Sequence, residues 1–235
     1  MNILNQYDHA LMLWLNYDGG SMLDAFWYAV SYKFTWIPLY VAILVAMVRS
    51  VRQMLMSGTA TSNGQASLRR ELFIVLIVTV LIIVAADQIS SGLIKPLVQR
   101  LRPSHDPRLM ADLHFVNDYH GGRYGFVSSH AANTLALALW VSLLFRRTSV
   151  WCAMLTFYVV NCYSRIYLGV HFPGDIIGGS VVGAICASLG YLLYKKVSRF
   201  SFSQSQALRP TALPIPLIVW ASLAILLGYA MAVGL

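Results

Sequence analysis

LFIVLIVTVLIIVAADQISSGLI, residues 72–94, carries no charge from Leu72 to Ala86 and then meets Asp87, Gln88, Ser90 and Ser91 just before Lys95. A helix rises 1.5 Å per residue, so about 20 apolar residues cross about 30 Å of hydrocarbon. The stretch therefore predicts a transmembrane helix with polar groups at one end. Similar apolar stretches occur at approximately 31–48, 128–145, 149–168, 176–194 and 213–232. Together they predict an all-α fold, a polytopic membrane bundle of about six transmembrane helices. Lys33 and Pro38 interrupt the first stretch, which leaves five spans as the alternative. Upstream, Leu11, Leu13, Trp14, Leu15, Phe26, Trp27 and Tyr28 mix with Asn5, Asp8, Asn16, Asp18 and Asp24. That mixture fits N-terminal helices lying in the headgroup region rather than crossing it.

Composition agrees with a bilayer solvent. Of 235 residues, 58% are hydrophobic and 11% charged, whereas an average soluble domain has roughly 25% charged residues. A single membrane-embedded domain over 1–235 is expected. The start of the chain lacks the basic segment, clean apolar core and small-residue cleavage site of a signal peptide. The net charge of +8 is divided among short loops and forms no continuous stripe, which argues against nucleic acid as a partner. Cys152, Cys162 and Cys186 all fall inside apolar stretches, so they read as small core residues rather than a disulfide framework. Ser57–Ser67, rich in Ser, Thr, Gly, Asn and Gln, reads as a flexible linker.

Basic residues give an orientation. Arg49, Arg52, Arg69 and Arg70 follow the first stretch, Arg146 and Arg147 the third, and Lys195, Lys196, Arg199 and Arg209 the fifth. Short loops rich in Lys and Arg stay in the cytoplasm. Both chain ends, and the segments holding Lys33, Lys95, Arg100, Arg102, Arg108, Arg123 and Arg165, are therefore expected on the opposite side, with a bacterial cytoplasmic membrane as the setting and the periplasm or exterior as the facing compartment.

Ionised groups at the bilayer centre cost about 2.5 to 3.5 kcal/mol or more, so those flanking the spans need a reason. Lys95 and Arg102 are seven residues apart and face the same way if the second helix continues to Pro103, although Pro96 can kink it. They suit two grips on phosphate oxygens, or equally a lysine and an arginine snorkelling at a helix end. Ser128 and Ser129 precede a long apolar run, so either can cap the third helix, whose free N–H groups favour an anion; His130 in that first turn can donate a proton or simply hydrogen-bond at the interface. Arg165, His171 and Asp175 surround a short turn between two spans. Asp175, four residues after His171, can accept an imidazole N–H and fix the tautomer, or serve only as a helix cap.

Lys95 followed by Arg102-Pro103, then Ser128-Ser129-His130, then Ser164-Arg165 with His171 and Asp175, resembles the tripartite signature of the type 2 phosphatidic acid phosphatase superfamily; the signature region is 87–175. One departure is visible. Val127-Ser128-Ser129-His130 stands where the family usually has Pro-Ser-Gly-His, which adds a Cβ and a hydroxyl at Ser129. The resemblance implies metal-independent hydrolysis of a terminal phosphate from a membrane lipid. His171 would be the nucleophile forming a phosphohistidine, Asp175 would hold its imidazole, and His130 would protonate the leaving oxygen and then activate water. Lys95, Arg102, Ser128, Ser129 and Arg165 would bind the phosphate. Three fixed cations would repel a divalent ion, so no metal or other cofactor is expected. Undecaprenyl diphosphate is the favoured substrate, lipid A phosphate or phosphatidylglycerol phosphate the alternatives. A non-catalytic anion or lipid transporter, or a binding protein, is the reading from another class.

Two polar sets stand apart. Asp87, Ser91 and Lys95 share a face at i, i+4, i+8 spacing, where Asp87 reads as a structural partner of a nearby Lys, Arg or Tyr. The segment Ser104–Gly125 holds His105, His114 and His120 at spacings that match no metal pattern, with Gly121-Gly122 able to act as a hinge; a roof over the site is one role for it, and the sequence leaves that role open.

Overall fold

In a computed structural model that describes residues 3–56, 64–198 and 211–234, each apolar stretch lies largely within a helix. The helices are α1 (Ile3–Leu15), α2 (Gly20–Ser31), α3 (Ile37–Met56), α4 (Gly64–Asp87), α5 (Lys95–Val98), α6 (Ser129–Phe145), α7 (Thr148–Tyr167), α8 (Pro173–Val197) and α9 (Pro214–Gly234). Among the described residues the only β pairing is an isolated bridge between Leu101 and Tyr124. The fold is all-α, as expected. Three continuous helical segments, Arg69–Val98, Pro173–Val197 and Pro214–Gly234, are long and apolar enough to cross a membrane, and Ser129–Phe145 is apolar but shorter. The chain is a multi-pass membrane protein. The linker expectation for Ser57–Ser67 falls largely outside the described residues, while α4 begins at Gly64.

Helix α6 is the hub, packed against α7, α8 and α4, while α9 packs on α2, α3 and α7. Glycines set the α6–α8 distance: a Cβ at Gly179 would collide with the Ser128 carbonyl, and one at Gly183 with that of Ala132. Backbone approach of this kind is how helices gain van der Waals contact where lipid offers no hydrophobic drive. Around it Trp36, Met47, Trp140, Leu144, Met154 and Phe157 fill the interior. Cys162 and Cys186 are buried as expected, but Cys152 is exposed because it lies on the outer face of α7.

The end of α4 departs from the expected straight helix. Gln88–Ile94 forms a π-helical turn, in which the Lys95 N–H reaches back five residues to the Ser90 carbonyl. Pro96 then has no N–H to offer, and Gln99 at φ 50° ends the helix at Val98. Arg102 is therefore delivered by extended backbone and not by helical periodicity from Lys95. The π turn also moves the polar register: Ser90 is buried and Ser91 exposed, while Asp87 accepts the Asn133 side-chain N–H at 3.1 Å. Asp87 has a structural partner, as expected, but it is an asparagine.

Gly183→Leu should strain the α6–α8 crossing by about 1 to 3 kcal/mol. A lowered unfolding midpoint of the detergent-solubilised protein is expected, with Gly228→Ala, a site with open space around it, leaving the midpoint unchanged or slightly raised.

Candidate active site

Pro173 starts α8 and Asp175 occupies its first turn, where Oδ2 accepts the Phe172 backbone N–H at 3.1 Å. The same oxygen lies 3.2 Å from His171 Nδ1. An ionised carboxylate only accepts, so Nδ1 carries the proton and the Nε2 lone pair is left free. His171 and Asp175 are 1% and 0% exposed. Burial, followed by the charges of Arg102, Arg165, Lys95 and His130, holds the His171 imidazole well below its usual range, so the ring is neutral at neutral pH. A neutral, oriented imidazole ringed by cations can attack an anionic electrophile.

Arg100 completes the buried carboxylate. Its Nη1 donates to Asp175 Oδ1 at 3.1 Å and its Nη2 to Asp8 Oδ2 at 2.6 Å. Asp8, from α1, also accepts the Gly174 N–H at 2.8 Å. The Arg100 guanidinium lies 4.2 Å from the Phe172 ring centroid, and His9 stacks on that ring at 5.2 Å. His9 Nε2 in turn faces Asp106 at 3.4 Å.

The expected phosphate ligands converge on the same place. Lys95 Nζ donates to Ser129 Oγ at 3.2 Å, so the additional hydroxyl anchors the ammonium. Arg102 is fixed by donating Nε to the Tyr124 carbonyl and Nη1 to the Val170 carbonyl, both at 3.2 Å. Burial, then the neighbouring Arg165, lowers its pKa to about 10, which leaves it charged at neutral pH. Arg165 donates to the Ser31 hydroxyl and, at 3.2 Å, to the Tyr119 hydroxyl, while its buried Nε has no partner. Ser128 caps α6 by accepting the Ala131 N–H at 3.3 Å, and its own backbone N–H donates to the Asp175 carbonyl at 2.9 Å. The capping role falls to Ser128, and Ser129 is the first helical residue.

His130 Nε2 lies 3.4 Å from Asn161 Oδ1. Asn161 Nδ2 is committed to the Phe157 carbonyl at 2.8 Å, so its oxygen faces His130 and the proton on that bond belongs to Nε2. His130 lines two cavities. One, of about 350 Å³, includes Arg165, Tyr119, Ser31 and Lys33 in its wall; the other, of about 460 Å³, is apolar and runs between α3, α4, α6 and α7 past Ile43, Leu44, Leu76 and Ile83.

Sequence reasoning missed Asp8, Arg100, Asn161 and Tyr119 as parts of this arrangement. Arg100 was visible only as a basic residue on the expected outer side, and its spacing from Asp175 carries no periodic signal. Segment Ser104–Gly125, whose role the sequence left open, lies over the site through Tyr119 on Arg165 and Gly121 against Arg102. Gly121 has φ +66°, a turn conformation suited to glycine. The segment's three histidines have separate hydrogen-bond partners, although the His105 and His120 rings meet edge to face at 6.5 Å. His114 pairs with Asp24 at 2.8 Å, His120 with Asp118 at 2.7 Å, and His105 Nδ1 meets the Ser104 hydroxyl at 3.1 Å. Asp18, Asp24 and His114 bring potential ligand atoms within 4.8 Å of one another, but Asp24 also accepts the Tyr167 hydroxyl at 2.7 Å and serves to tie α2 to α7.

Residues 75–199 match the family model described as the PAP2 superfamily. A lipid A 4'-phosphatase of Bacteroides thetaiotaomicron is 32% identical over 199 residues, 84% of this chain and 81% of that protein. Another, from Porphyromonas gingivalis, is 34% identical over 195 residues, 83% of this chain and 75% of that protein. Among solved structures, a transmembrane PAP2-type phosphatidylglycerolphosphate phosphatase from Bacillus subtilis superposes with a TM-score of 0.55 at 19% identity, covering 85% of this chain and 90% of that one. That likeness bears on the fold.

The lowered pKa of His171 has a consequence for stability. Because the folded state resists the proton that the unfolded chain accepts near pH 6.5, stability is full above that pH and is lost as pH falls below it. Thermal midpoints measured from pH 7.5 downward should fall below about pH 6.5, and His171→Gln should make that fall shallower.

Proposed function

The chain belongs to the PAP2 superfamily and is a lipid phosphatase, and from that premise we propose that it removes a terminal phosphate from a phosphorylated lipid by way of a phosphohistidine. His171 Nε2 attacks phosphorus and the bond to the lipid oxygen breaks. His130, protonated at Nδ1 while its Nε2–H stays on Asn161 Oδ1, gives that oxygen a proton. Water then adds to the phosphohistidine as His130 takes a proton back, and inorganic phosphate leaves. Asp175 holds Nδ1–H and stabilises the positive charge that develops on the ring. Lys95, Arg102, Arg165 and the hydroxyls of Ser128 and Ser129 meet the phosphate oxygens, whose charge is spread over the equatorial positions in the transition state. The whole chain, 1–235, acts as one membrane-embedded unit without a metal or other cofactor.

The observation that carries this reading is the double exposure of His130. It stands between a cationic cavity and an apolar one, which is where the bond joining phosphate to lipid would lie. A soluble phosphate ester gives no use to the apolar chamber. The distribution of basic loops supports an active face on the periplasmic side of a bacterial cytoplasmic membrane.

The substrate preference changes from the sequence expectation. Two relatives that match over most of the chain are named lipid A 4'-phosphatases, so lipid A phosphate replaces undecaprenyl diphosphate as the favoured substrate. Phosphate release from lipid A, undecaprenyl diphosphate and phosphatidylglycerol phosphate by the solubilised protein in EDTA tests this. Lipid A is expected to be fastest. His171→Ala should lower release about 1,000-fold or more, and His130→Ala, which removes the group serving both steps, should lower it about 100-fold or more. Full activity in His171→Ala would remove the nucleophile, and no release from any of the three lipids would favour a non-catalytic lipid-binding protein.

A further inference from the structure

We infer that the outer part of the cationic cavity is a headgroup subsite for a phosphorylated saccharide, in which Tyr32 packs against a sugar ring and Lys33 binds a second anionic group. The inference deepens the lipid A reading and rests on it. A cavity of about 350 Å³ lies within the range of whole-ligand pockets and exceeds what one phosphate fills. Its inner wall is His130 and Arg165, which the proposed mechanism assigns to the scissile phosphate. Its outer wall is Tyr28, Ser31, Tyr32, Lys33 and Tyr119.

Tyr28 and Tyr32 are 38% and 50% exposed, and although they meet Tyr119 and Phe34 edge to face, part of each ring stays open. Aromatic rings offer a large apolar face at low conformational cost, which suits the C–H face of a pyranose, and their hydroxyls can meet sugar hydroxyls. Tyr119 differs from these two because its hydroxyl already receives Arg165. The subsite is thus continuous with the phosphate grip through one side chain.

Lys33 supplies the charge. It lies in the turn between α2 and α3, exposed and lining the cavity, with no carboxylate in salt-bridge range among the described residues. Its Nζ sits 5.0 Å from the Phe34 ring centroid. The turn that presents it is braced: Trp36 Nε1 donates to the Val30 carbonyl at 2.9 Å and the Thr35 hydroxyl to that of Ala29 at 2.6 Å. An unpaired ammonium on an ordered turn beside a phosphate cup favours a ligand with two separated negative groups over one with a single group.

The test compares kcat/KM on three probes: a disaccharide lipid phosphorylated on both rings, the same lipid phosphorylated only on the distal ring, and phosphatidylglycerol phosphate. Lys33→Ala should lose about tenfold on the doubly phosphorylated lipid, through KM, and stay near wild type on the other two, with Lys33→Arg restoring the loss. Tyr32→Ala should weaken both disaccharide lipids and spare the glycerolipid. Both residues are exposed, so the variants should fold as wild type, and an unchanged thermal midpoint checks this. Equal losses on all three probes, or none on any, would overturn the subsite while leaving the lipid A reading intact. If wild type cleaves the glycerolipid but neither disaccharide lipid, the lipid A reading fails and the subsite with it.

Discussion

The Asp175 carboxylate, with no exposed surface, is the constraint around which the other elements are arranged. An ionised carboxylate taken out of water is tolerated only when its lone pairs are met by well-placed donors. Three donors do this: the Phe172 N–H, His171 Nδ1 and Arg100 Nη1. Each comes with a structural consequence. The first fixes the opening turn of α8, the second fixes a tautomer, and the third brings the segment after α5 down onto α8. Arg100 then needs a second acceptor, and Asp8 provides it from α1. The N-terminal helix is in this way tied to the candidate site, although it contributes none of the proposed phosphate ligands.

A second constraint is close backbone contact between α6 and α8. Only glycine at Gly179 and Gly183 lets the Ser128 and Ala132 carbonyls come so near. With the helices that close, the Ser128 N–H reaches the Asp175 carbonyl at 2.9 Å, and two segments distant in the chain become one wall. The α6 N-terminus then lies beside Lys95, and in the proposed mechanism its dipole end adds to the cations that receive the anion.

How much of this could be read from residues alone follows from the range of each interaction. Apolar runs report a helix because periodicity and length are local, so α4, α6, α8 and α9 were legible. His171 and Asp175 were legible because four residues along one turn bring them together. Lys95 and Arg102 were expected to align by helical spacing; they do meet the same site, but the π turn at Gln88–Ile94 and the left-handed Gln99 replace the helix that reasoning assumed. Arg100 and Asp8 are 92 residues apart, and Asn161 and His130 are 31 apart. Nothing in local pattern links such pairs, and only packing reveals them.

Ser129 joins the two levels. Its presence where the resembled signature has glycine was visible in the chain, and the structure gives it a partner in Lys95. A lysine carries a flexible four-carbon stem and loses rotamer freedom whenever it is held in place. A hydroxyl that holds the ammonium before substrate binds shifts part of that cost from binding to folding, which is preorganisation. The hydroxyl also takes up space in the proposed phosphate cup, which narrows as it stiffens. A narrower, stiffer cup suits a phosphate whose orientation is set from outside by a bulky headgroup, and the cavity that continues from Arg165 toward Tyr32 and Lys33 leaves room for one.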